Sequence, residues 1–109
     1  MERRDRIVLE KILREIAVAQ EMMGNHTLEG FLDSELLMRA VSMTVINIGE
    51  LVKNLSETCR QASSHIPWKA IAGFRDIAAH KYQTLRMEDV YETAVTDLPL
   101  LEEQIKELL

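Results

Sequence analysis

A chain of 109 residues that is 47% hydrophobic and 28% charged has the make-up of one globular domain, spanning 1–109, and leaves no room for a second. A single cysteine, Cys59, excludes an internal disulfide, and a formal charge of −5 argues against indiscriminate nucleic-acid binding. The opening MERRDR has no apolar run behind it, and Leu36 to Leu55 carries Arg39, Asn47, Glu50, Lys53 and Asn54, so neither a signal peptide nor a membrane span is expected. A reducing cytoplasm is the expected setting.

The first helix is predicted from about Arg3 to Met23, because Leu9, Ile12, Ile16, Ala19 and Met23 recur every three or four residues. Gly24-Asn25 stops it, and His26 to Leu32 is read as a short link. Asp33 or Ser34 caps the second helix, which continues to Leu55 and is too apolar for one contact face. It is expected to pack centrally, on its own chain or on a second subunit. Ser56 to Ile66 is read as a turn. Pro67 then suits the start of a short third helix over Trp68 to Ala79, and Lys81 to Leu85 links it to the fourth. Val90, Tyr91, Ala94, Leu98, Leu101, Ile105 and Leu108 line the buried side of that last helix, with a kink expected near Val95 from Pro99. The fold class is therefore all-α: an antiparallel, up-and-down four-helix bundle with a short third and a kinked fourth helix.

Charge is unevenly spread. Arg60 to Arg86 holds five basic residues against one acid, +4 locally, which leaves −9 on the rest of the chain. A phosphate-attracting surface on an otherwise repelling body fits that distribution, and so does a plain solvated face. His26, His65 and His80 are scattered and do not read as a metal site, and Cys59 has no neighbour that marks it as a nucleophile. Asn47, Glu50 and Asn54 share one stripe of the second helix. Either Glu50 is buried and paired, with Arg75, Lys81 or a second subunit, or the stripe is simply exposed.

The sharpest chemistry is Arg75-Asp76-Ile77-Ala78-Ala79-His80-Lys81-Tyr82. An imidazole exchanges protons near neutral pH, and a guanidinium fork matches phosphate oxygens, so the pair suits metal-free phosphodiester cleavage. Five residues correspond to about 140° around an ideal helix, so the two converge only if the helix ends near Ala79, if the arginine reaches round, or if a second subunit closes the gap.

These residues resemble the HepT-like toxins of the HEPN superfamily, whose signature is Arg, four residues, His, one residue, Tyr. INIGE at 46–50, IPWKAIAGFRD at 66–76 and DLPLLEEQI at 97–105 resemble the family's flanking segments, so the likeness covers nearly the whole chain. The resemblance implies a helical homodimer, metal-independent endoribonuclease action on RNA without a cofactor, and a minimal nucleotidyltransferase antitoxin as partner. It implies Arg75 and His80 as catalytic residues, with Asp76, Glu50 and Asn47 supporting them and Lys81 and Arg86 touching RNA. Tyr82 is implied as the residue that receives AMP. Many relatives have Asp where this chain has Arg86; Thr84 is then the expected cap of the fourth helix. A non-catalytic module that binds a nucleotidyltransferase is the alternative reading.

Overall fold

The structure, a computed structural model, describes residues 1–73 and 85–109, and every regular element within them is helical. Helix α1 runs Arg3–Met23 and buries the expected stripe of Leu9, Ile12, Ile16, Ala19 and Met23. It ends at Gly24, whose φ of 49° lies in the left-handed region that favours glycine.

The link that follows is not irregular. Thr27 Oγ1 accepts the Gly30 N–H at 3.1 Å and starts a short helix, α2 (Leu28–Leu32), which drives Phe31 fully into the core. Periodicity misses a five-residue helix because one turn carries too few positions to repeat. Of the two candidate caps for α3 (Glu35–Val52), Ser34 is the one used, its hydroxyl accepting the Leu37 N–H at 3.1 Å. The helix stops three residues short of Leu55, which is buried in the following turn.

Ser56 explains that early stop. It caps a further helix, α4 (Glu57–Ala62), inside what was expected to be a turn, and its hydroxyl accepts the Cys59 N–H at 3.1 Å. Residues 68–73 are helical (α5), with Pro67 just before them and its carbonyl accepting the Ile71 N–H at 3.1 Å. The remainder of the expected third helix and most of the following link lie outside the described residues. Chain exit is through α6 (Met87–Glu92), one π-helical turn at Thr93–Asp97, and α7 (Leu98–Leu108). Pro99 has no N–H for the Val95 carbonyl, and the disturbance expected near Val95 takes the form of that π turn.

Directions follow from contacts. Asp5 meets Ser56 and Glu15 meets Asn47, so α1 and α3 are antiparallel. Met87 meets Ser42, the tilted rings of Tyr91 and Phe31 lie 5.8 Å apart between centroids, and Leu108 returns beside Met1 and Asp5, so α6 packs on α3 and α7 packs antiparallel on α1. Leu9, Ile12, Ile16, Phe31, Val41, Ile48, Val52, Val90 and Ile105 form the fully buried centre. The described residues thus form more segments than the four expected, because α2 and α4 are added and the last helix is divided. No helix among them is long and apolar enough to cross a membrane.

Candidate functional site

The exposed face of α3 is one continuous stripe. Leu36, Met43, Asn47 and Glu50 follow one another at spacings of seven, four and three, which keeps them on one side of the helix, and Asn54 lies four residues on, just past the helix end. All five are exposed, Leu36 at 80% and Met43 at 56%. The stripe is therefore apolar at its start and amide-and-carboxylate at its end. Asn47 Nδ2 donates to Glu15 Oε1 at 3.1 Å, which ties the polar half to α1, and Asn54 Nδ2 donates to the Glu50 carbonyl at 3.4 Å. Glu50 is exposed, so it is not a buried carboxylate, and its expected partners Arg75 and Lys81 lie outside the described residues.

A relay of hydrogen bonds leads from α1 to α5. Ser56 donates its N–H to Asp5 Oδ1 at 2.8 Å and its hydroxyl to Asp5 Oδ2 at 2.7 Å. The Ser63 hydroxyl donates to the Cys59 carbonyl at 2.6 Å, and Trp68 Nε1 donates to Ser63 Oγ at 3.0 Å. Asp5, Ser63 and Trp68 are all nearly inaccessible, at 2%, 1% and 4% exposure. Burial alone pushes the Asp5 carboxyl up, but the two Ser56 bonds, helped by the charge of Arg4, outweigh it and hold the group below 3.8. Burial, then the Asp5 charge, pushes the Cys59 thiol above 9.0, which makes it a poor nucleophile. This relay docks α4 on α1 and α5 on α4.

Arg75, Asp76, His80, Lys81 and Tyr82 lie outside the described residues, as does Thr84. The chain returns to the described part at Leu85 and Arg86. Arg86 is exposed, sits at the N-cap of α6, and makes no side-chain capping bond. Just after it, the Ser42 hydroxyl reaches Met87 Sδ at 3.6 Å, pinning this exit to α3. Of the expected site residues, the structure thus places Asn47 and Glu50 together on one face of α3, and Arg86 at the start of α6. Among the described residues, no group of His, Cys, Asp and Glu side chains is arranged to hold a metal ion. An apolar hollow of about 260 Å³ between α3, α5 and α7, lined by Val45, Ile48, Ile71, Leu98 and Leu101, offers shape but little chemistry.

Asp5 was missed by the sequence reading, although a signal existed. It lies four residues before Leu9 on the same stripe as Ile12 and Ile16, and a carboxylate on an apolar stripe needs a buried partner.

A sequence profile described as "Ribonuclease HepT-like" matches residues 12–108. The chain is 39% identical over 101 residues to a protein of Caldanaerobacter subterraneus subsp. tengcongensis named "Putative RNase", covering 93% of this chain and 90% of that one. It is 35% identical over 104 residues to "Gamma-glutamylcyclotransferase and putative RNase" of Methanocaldococcus jannaschii, covering 95% of this chain and 47% of that longer protein. It is 28% identical over 108 residues to "Probable ribonuclease HepT" of Thermococcus cleftensis, covering 99% and 98%. No solved structure matches the chain.

Proposed function

Because the chain belongs to the HepT-like ribonuclease family, we propose that it is a metal-independent endoribonuclease and the toxin of a toxin–antitoxin pair. The observation that carries this reading is RDIAAHKY at 75–82, whose Arg, His and Tyr spacing falls within the matched region 12–108. In the reaction, the ribose 2′-oxygen attacks the adjacent phosphorus and the bond to the 5′-oxygen breaks. His80 handles the proton of the attacking hydroxyl or of the leaving oxygen, and Arg75 balances the charge that builds on the phosphate. Asp76 orients the pair, Asn47 and Glu50 border the cleft from α3, and Lys81 and Arg86 attract neighbouring phosphates.

The same reading takes the molecule as a cytoplasmic homodimer of up-and-down four-helix bundles. The exposed Leu36 and Met43 support the dimer, since an apolar pair beside a polar stripe is what a second copy would cover. A nucleotidyltransferase antitoxin would neutralise the protein by adenylylating Tyr82. The added phosphate and bulk then compete with RNA for Arg75 and Lys81.

Purified protein, free of any antitoxin, should cut RNA in excess EDTA. His80→Ala should keep the helical circular-dichroism spectrum and lose the cutting; equal activity in that variant sinks the role of His80. Tyr82→Phe should still cut RNA, yet show no adenylate mass step when incubated with the partner and ATP. A mass step that persists would move the target to Tyr91. The exposed apolar start of α3 also suits the non-catalytic partner-binding module, and a tight complex with no cleavage of any RNA offered would select that reading.

A further inference from the structure

The polar end of the α3 stripe opens into a groove of about 460 Å³ between the start of α1 and the end of α3. Arg3, Arg4 and Lys11 line it together with Asn54, over an aliphatic floor that includes Ile7 and Leu51. No carboxylate lines it. That is unusual on a chain of net charge −5, where a random surface groove would be expected to meet an acid. The acid in the same turn of α1, Asp5, is turned away: it is buried at 2% exposure and bonded twice to Ser56. Arg3, Arg4 and Lys11 are all exposed and form no ion pair among the described residues.

We infer that this groove binds the phosphate backbone of single-stranded RNA, extending the proposed ribonuclease site along the seam between α1 and α3. The inference rests on that functional reading for its choice of polyanion. Three exposed cations supply the attraction, and two of them are guanidinium forks that match phosphate oxygens in pairs. Asn54 offers an amide that both donates and accepts, which suits a ribose hydroxyl or a base edge. The aliphatic floor favours unstacked nucleotides, whose apolar faces are covered in a duplex. Asn47 and Glu50 lie on the same stripe as Asn54, so a strand seated here continues onto the face that borders the proposed cleft.

The test is binding of a fluorescent single-stranded 2′-O-methyl RNA, which lacks the attacking hydroxyl and stays intact on the protein. The native chain is compared with Arg3→Gln/Arg4→Gln/Lys11→Gln across a salt series. The triple variant should bind more weakly at low salt. Its plot of log affinity against log salt should be shallower by about 2, at roughly 0.7 for each phosphate of a single strand that is no longer neutralised. Arg39→Gln, an exposed cation on α3 outside the groove, should leave the slope unchanged. All three substituted positions are exposed, and a matching thermal melt checks that the variant is folded. An unchanged slope in a folded triple variant overturns the groove, and does so whether or not the chain cleaves RNA. A shallower slope in a chain that never cuts unmodified RNA supports the groove while sinking the ribonuclease reading. If the triple substitution instead abolishes capture of an acidic protein partner and leaves RNA binding intact, the groove belongs to that protein and the inference fails.

Discussion

Asp5 shows how much one buried carboxylate can organise. It is the first acid of α1, yet its bonds go to Ser56, 51 residues along the chain, and through Ser56 to the cap of α4. Removing it leaves the N–H and the hydroxyl of the half-buried Ser56 short of their acceptor. Asp5→Ala should therefore lose about 2 kcal/mol of stability, in the range of hydrogen bonds to a charged group. The pH dependence has a definite sign. The folded carboxyl is held below its ordinary 3.8, so its contribution is complete above that value and is lost as pH falls through the lower folded value. Urea midpoints of the native chain and Asp5→Asn should differ at neutral pH and converge in acid below about pH 4. A difference that persists unchanged into strong acid would mean that the charge of Asp5 does not matter.

At the level of the element, Arg86 sets stability against function. The N-cap of α6 has a basic residue without a capping bond, next to the positive end of a helix dipole. Aspartate there would accept an orphan N–H and reverse the unfavourable charge. Arg86→Asp should raise stability by about 1 kcal/mol, seen as a higher melting temperature. The same change should weaken RNA binding and slow cleavage if Arg86 attracts phosphate, as proposed. A variant that is both more stable and as active as the native chain would remove Arg86 from the site. The short helices α2 and α4 carry a related point. Both are started by a hydroxyl cap, Thr27 and Ser56, and each buries a single large or polarisable side chain, Phe31 and Cys59. They were invisible to periodicity, though their caps stood in the sequence.

For the whole molecule, the outer face of α3 is where the proposed dimer is tested. Leu36 and Met43 stay exposed when the single chain is folded, one turn and more away from the amides that border the proposed cleft. A second copy covering them would bring two such clefts close together. Sedimentation at micromolar concentration should give twice the 12.5 kDa chain mass, and Met43→Lys should return it to one chain mass. A native species that stays at 12.5 kDa throughout rules the dimer out.

Sequence alone was enough for the all-helical class, the stripe of α1 and the family motif. Those features are local: a helix face repeats every three or four residues, and a motif is a spacing. The stop at Gly24 was legible for the same reason, since a glycine's φ freedom belongs to the residue itself. What tertiary structure decided were the matters of pairing across distance. Nothing near Asp5 in the chain points to Ser56, nothing near Trp68 says that its indole finds Ser63 on the preceding turn, and nothing near Asn47 says that its amide meets Glu15 of α1. Burial is set by which faces meet, and the meeting of faces is a property of the folded chain as a whole, not of any one segment.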